Sequence, residues 1–144
     1  MTCPYLLDVN LLVALADPMH LHHNTAHQWF GRTGQAAWAT CPLTENGFVR
    51  VASNPKYTNR PGNVPVLLAM LRDLCKAAGH IFWNDDISLR EILDPTVVLT
   101  HNQITDVYLL GLAVHHDGKL ATLDERIPVS AVRSGETAIE IVRP

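Results

Sequence analysis

Four acids stand where a chain could gather them. Asp8 follows the apolar run Tyr5-Leu6-Leu7, and Asp124 follows Lys119-Leu120-Ala121-Thr122-Leu123. Glu45 lies one turn into a segment opened by Pro42, and Asp106 lies one turn into the apolar segment that begins at Asn102. Carboxylates are hard oxygen donors. A group of them suits Mg²⁺ or Mn²⁺ and not zinc, which prefers His and Cys. Two unit charges 4 Å apart repel by about 4 kcal/mol at an effective dielectric of 20, so such a group needs a cation among its members. Taken one at a time, each acid has an ordinary explanation as a helix cap, a first-turn acid or a turn former. Their joint placement has none.

The elements that must position these acids can be read from the pattern. Strands are expected at Tyr5–Val9, Ala36–Thr40, His80–Trp83, Lys119–Leu123 and Thr137–Val142. Helices are expected at Asn10–Ala16, His22–Arg32, Pro42 to about Ser53, Val64–Ala78, Asp86–Leu93 and Asn102–Asp117, with Gly34, Gly79 and Gly118 as stops. Asn54 to Asn63 reads as a loop. Alternating strands and helices predict a three-layer α/β/α fold around a mostly parallel sheet of 4–5 strands, with ligands at the carboxyl ends of the strands. By that rule all four acids converge on one edge.

Composition bounds the reading. The 144 residues fit one domain, 1–144, and 47% hydrophobic with 17% charged residues can bury a core. No apolar run has membrane-spanning length, and the start carries no basic segment ahead of an apolar one. The expectation is a cytoplasmic protein without a signal peptide or a membrane partner. Cys3, Cys41 and Cys75 have no metal-finger or disulfide spacing and read as small buried residues. The net charge of −3 argues against a nucleic-acid partner until its distribution is considered. Of fourteen acids, setting aside the four above leaves ten against eleven bases. Between Asn46 and Arg72 the charged residues are all basic: Arg50, Lys56, Arg60 and Arg72. A positive strip beside an acidic pocket could hold nucleic-acid phosphates, with Arg50, Lys56 and Arg60 as contacts and Tyr57 as a surface for base stacking. Ordinary solvated surface explains the strip equally well.

The motifs together resemble the PIN-domain family, and within it the VapC toxins of type II toxin–antitoxin pairs. The matching segments are Leu7-Asp8-Val9-Asn10-Leu11-Leu12, Thr44-Glu45-Asn46-Gly47-Phe48-Val49-Arg50, Gln103-Ile104-Thr105-Asp106-Val107-Tyr108-Leu109 and Leu120-Ala121-Thr122-Leu123-Asp124. The resemblance spans nearly the whole chain. It implies a Mg²⁺-dependent endoribonuclease (Mn²⁺ as a substitute), a homodimer, and a cognate VapB-type antitoxin. It also implies that Asp8, Glu45, Asp106 and Asp124 are the catalytic metal ligands and that Asn10 and Thr122 are accessory polar positions. On that basis water activated by the ion hydrolyses RNA phosphodiesters, leaving 5′-phosphate and 3′-hydroxyl ends. The alternative is a non-catalytic PIN-like RNA- or protein-binding module. A HAD-like phosphatase would need an Asp where Asn10 stands.

Other features read as structural. His20, His22, His23 and His27 form a solvated loop and helix start, and His115 and His116 suit a helix C-terminus. Asp85 and Asp86 read as a helix cap, and Trp29, Trp38 and Trp83 as core. The helix from Val64 is apolar nearly all round, which predicts cover from a partner chain or from the rest of the domain.

Overall fold

The computed structural model describes residues 3–57 and 60–144. Residues 58 and 59 of the expected loop lie outside it, as do residues 1 and 2 at the chain start. Five strands, β1 (Tyr5–Leu7), β2 (Trp38–Thr40), β3 (His80–Phe82), β4 (Lys119–Thr122) and β5 (Ile139–Ile141), pair in parallel in the order β3-β2-β1-β4-β5. The chain builds outward from β1 through β2 to β3, then returns to β1's other side for β4 and β5. The β1/β4 boundary is therefore the topological switch point, where open α/β sheets leave a crevice at their carboxyl edge.

Side chains on successive strand residues point to opposite faces. Leu6, Ala39 and Leu120 face one core, filled by Val107, Leu109, Leu110 and Leu112. These four belong to α6 (Ile104–His115). Leu7, Trp38 and Ala121 face the other core. That face is covered by α1 (Val9–Ala16), α2 (His23–Arg32), α3 (Pro42–Ala52) and α4 (Val64–Leu74). A short α5 (Leu89–Ile92) packs on α6. The three expected layers are present.

Several boundaries differ from the sequence expectation, each for a local reason. α4 stops at Leu74, with Cys75 as its C-cap, and not at Ala78. Gly79 is required where the backbone passes Gln35 and Ala36, because a Cβ there would strike the Gln35 carbonyl. α6 begins at Ile104 after a 3₁₀ turn over His101–Gln103, and it ends at His115. Its left-handed C-terminal residue is Asp117 (φ 57°), not glycine. The Asp117 N–H donates to the Val114 carbonyl, and that of Gly118 to the Ala113 carbonyl (2.8 Å). This is the paired bonding of a Schellman end. Gly118 is needed for packing, since a Cβ would lie 2.6 Å from the Pro4 carbonyl oxygen. α5 is capped by Ser88 and not by Asp85 or Asp86. Among the described residues no helix is long and apolar enough to cross a membrane.

Two histidines of the expected solvated cluster close the end of α1. His23 Nδ1 donates to the Ala14 carbonyl (2.8 Å) and His27 Nε2 to the Leu15 carbonyl (3.0 Å). These are last-turn carbonyls that have no partner within the helix. The three tryptophans are buried, as their core reading requires.

Candidate active site

β1 and β4 pair with Leu7 opposite Ala121, so the next residues, Asp8 and Thr122, meet at the carboxyl edge. The Asp8 N–H donates to the Ala121 carbonyl (2.9 Å), which continues the ladder by one bond. Asp8 is the N-cap of α1, and its Oδ1 accepts from the Val9 N–H (2.8 Å). Its Oδ2 accepts from the buried Thr122 hydroxyl (2.7 Å). The cap explanation and the site explanation thus coexist, because each oxygen has one bond and keeps a lone pair. Asn10, two residues on, donates from Nδ2 to the Thr122 hydroxyl (3.2 Å) and accepts the Leu123 N–H at Oδ1 (3.2 Å). It ties α1 to the exit of β4. The Asp124 N–H donates to the Thr122 hydroxyl (3.0 Å), which holds that turn in place.

Asp106 reaches the same place from the first turn of α6. Asp8, Asn10, Asp106 and Asp124 line one pocket of about 370 Å³, together with His20 and Tyr57. The protonation equilibria register this crowding. The Asp106 carboxyl is pushed up to about 6, by burial first and then by the charges of Asp8 and Asp124. Burial also raises Asp8, against the lowering effect of the Thr122 and Val9 hydrogen bonds. No hydrogen bond or ion pair satisfies Asp106 among the described residues. A half-buried carboxylate without a partner beside two others calls for a cation, and the all-oxygen donor set fits a hard divalent ion. The three carboxylates do not all approach within 4.8 Å of one another. That spacing leaves room for an ion and its waters.

Glu45 does not join them. Its Oε2 accepts the buried Thr40 hydroxyl (2.6 Å), and its carboxylate groups with Cys75 and His80 instead. It lines a separate groove with Arg50. The cause is local. Thr40 ends β2 and presents its hydroxyl beside the first turn of α3. The helix itself is close to Asp8's helix, since a Cβ on Gly47 would lie 2.6 Å from Val9 Cγ2. The expected fourfold convergence is therefore threefold in this structure.

The expected RNA contacts fall in two groups. Arg50, Lys56 and Arg60 are exposed. Tyr57 is half-buried, and its hydroxyl donates to Oδ2 of the buried Asp17 (2.7 Å). Burial and this bond push the phenol up to about 12, so it stays protonated while its ring walls the acidic pocket. Sequence reasoning missed His20, also on that wall, and Arg126, whose Nε is 3.7 Å from Asp124 Oδ1. The spacing Asp124-Glu125-Arg126 was the available signal for the second. His20 has no sequence signal, because it returns to the pocket through a loop. Asp86, read as a cap, accepts instead from His116 (3.0 Å), with His115 at 3.4 Å.

Ribonuclease VapC39 of Mycobacterium tuberculosis is 39% identical over 128 residues, covering 88% of this chain and 92% of that protein. This chain belongs to the VapC ribonuclease family. Within the family, VapC44 of the same organism is 40% identical over 133 residues (88% and 90% covered), and VapC38 is 39% identical over 137 residues (95% and 96%). No family model matches the chain. The fold is also that of solved VapC structures. M. tuberculosis VapC20, a Sarcin-Ricin loop cleaving toxin, superposes with a TM-score of 0.63 at 8% identity, over 90% of this chain and 96% of that one. VapBC2 from Rickettsia felis, bound to a promoter DNA fragment, gives 0.55 at 12% identity over 87% and 93%. The VapC ribonuclease family implies a divalent metal, and the unsatisfied Asp106 beside Asp8 and Asp124 is chemically suited to one.

Proposed function

We propose that this VapC-family chain is a Mg²⁺-dependent endoribonuclease, the toxin of a type II pair, restrained in the cytoplasm by a VapB-type antitoxin, with residues 1–144 forming one PIN domain. The observation that carries the reading is the convergence of Asp8, Asp106 and Asp124 on one pocket at the β1/β4 switch point. Asp8, Asp106 and Asp124 would hold the ion, with Mn²⁺ able to replace Mg²⁺. When bound, Mg²⁺ supplies Lewis acidity and a lowered pKa for water.

The chain's own residues do the rest. Thr122 and the Val9 N–H fix the Asp8 carboxylate, so its free lone pairs point without reorganisation. Asn10 locks the β4 exit that carries Asp124. Asp106, which has no hydrogen-bond donor among the described residues, is free to accept one from an attacking water. Arg50, Lys56, Arg60 and the rim residue Arg126 would neutralise RNA phosphates. Glu45 completes the acid set if its side chain leaves Thr40. The exposed apolar side chains of Val64, Val66 and Leu68 on α4 support a second copy of the chain as cover, which would make the protein a homodimer.

The test is cleavage of total RNA by antitoxin-free protein in Mg²⁺ or in chelator, with sequencing of the new ends. Cuts in Mg²⁺ alone, leaving 5′-phosphate and 3′-hydroxyl ends, are expected. RNA left intact in Mg²⁺, but bound with unchanged affinity, would favour the non-catalytic alternative.

A further inference from the structure

The acidic pocket is not the only place where ligand atoms converge. Glu45 from α3, Cys75 from the C-cap of α4 and His80 from the start of β3 each offer a donor atom, and these atoms all lie within 4.8 Å of one another. All three residues are partly accessible. Their frame is rigid. The His80 ring packs on the buried Trp38 (centroids 4.6 Å apart), and Thr40 holds both neighbours through its hydroxyl, 2.6 Å from Glu45 Oε2 and 2.8 Å from His80 Nε2. The other His-containing cluster, Asp86 with His115 and His116, is more exposed and is accounted for by His–carboxylate pairing.

The donor chemistry separates this cluster from the acidic pocket. Mg²⁺ takes oxygen ligands and does not select thiolate, whereas Zn²⁺ is bound by Cys, His and carboxylate in tetrahedral sites with a fourth position for water. A thiolate, an imidazole and a carboxylate from three separate elements make such a set. The buried Thr40 hydroxyl supplies the outer hydrogen bond that orients the carboxylate.

We propose that Glu45, Cys75 and His80 form a second metal site, for a thiophilic divalent ion of the Zn²⁺ class, and that filling it keeps Glu45 out of the acidic pocket and so inhibits RNA cleavage. The inhibitory half rests on the nuclease reading above; the binding half does not. On binding, Cys75 releases its thiol proton to solvent. His80 ligates through the ring nitrogen that carries no proton. If this is Nε2, the ring adopts the other tautomer and gives up its bond to Thr40.

The test uses the full chain, reduced and freed of metal, titrated with Co²⁺ as a spectroscopic substitute for Zn²⁺. A sulfur-to-cobalt charge-transfer band is expected to saturate at one ion per chain. It should persist in Cys3→Ser, vanish in Cys75→Ser and need about tenfold more Co²⁺ or beyond in His80→Ala. No band, or a band that survives Cys75→Ser, overturns the site even where Mg²⁺-dependent cleavage is intact. Zn²⁺ is then titrated into the cleavage reaction at fixed Mg²⁺. Without Zn²⁺, Cys75→Ser should cleave as the parent does, and it should need about tenfold more Zn²⁺ for inhibition. Equal inhibition of both overturns the regulatory half, because Zn²⁺ would then act at the acidic pocket. Absence of cleavage under every condition, with the cobalt band present, removes the nuclease reading and leaves the metal site standing.

Discussion

Asp106 and Glu45 make an instructive pair. Both are first-turn acids of helices that start at the carboxyl edge of the sheet, yet they end in opposite electrostatic settings. Among the described residues Asp106 has no donor, and burial, followed by the charges of Asp8 and Asp124, pushes its carboxyl up to about 6. Glu45 meets a donor, the Thr40 hydroxyl, beside an imidazole and a thiol. The difference lies in what the neighbouring strand supplies at its last residues. Asp8 and Asp124 follow the ends of β1 and β4, whereas β2 ends in Thr40. An acid without a donor stores unfavourable energy that a cation can release, and an acid with a donor does not.

The sharpest way to break this contrast is to remove each charge. With Asp106 as a direct ligand, as proposed, Asp106→Asn should lower RNA cleavage by about 100-fold or more, because loss of such a ligand exceeds the usual cost of an outer-shell one. Glu45→Gln should cost less, since Glu45 must leave Thr40 to contribute; initial rates in Mg²⁺ would rank the two. An equal loss in both would mean that Glu45 works inside the pocket throughout.

A smaller effect concerns the donor that fixes Asp8. Thr122→Val removes a buried hydroxyl at nearly constant shape. It should destabilise the fold by about 1–3 kcal/mol, as for a buried group left unsatisfied, measured by urea unfolding. Metal binding gives a third measure. Mg²⁺ at about 100 times its Kd should stabilise the chain by roughly 2.7 kcal/mol, seen as a higher Tm, and Asp106→Asn should abolish most of that rise.

The smallest expected effect is the pH dependence of the metal-free protein. The folded chain binds the Asp106 proton more tightly than the unfolded one, whose carboxyl titrates near 3.8. Asp106 therefore contributes stability that is fully present below that value and is lost as pH rises through about 6. Half-exposure reduces the size of the effect. Between pH 4 and 7 (roughly the window set by the two pKa values), the parent should lose more stability than Asp106→Asn in matched thermal scans without metal.

Much of this was legible in the chain. Alternating elements gave the layers, and the strand-exit position of Asp8 and Asp124 followed from the parallel-sheet rule alone. The glycine stops were half right. Gly118 does follow a helix, but the left-handed turn belongs to Asp117, and Gly79 lies beyond the end of α4. Both glycines answer to a carbonyl from elsewhere in the fold, which no local pattern reveals. The four loop and helix histidines read as one group and separate into two helix-end donors, one pocket wall and one surface residue.

By itself the sequence determined the strand and helix order, the two apolar faces of the sheet, and the acids at the strand exits, because these depend on periodicity and on residue type over short spans. Tertiary structure decided which side chains meet. The β1–β4 register set Asp8 against Thr122, the Thr40 hydroxyl drew Glu45 toward Cys75 and His80, and the loop before α2 brought His20 back to the pocket. Such meetings depend on distances of a few ångströms between residues far apart in sequence, and only the packed chain fixes those.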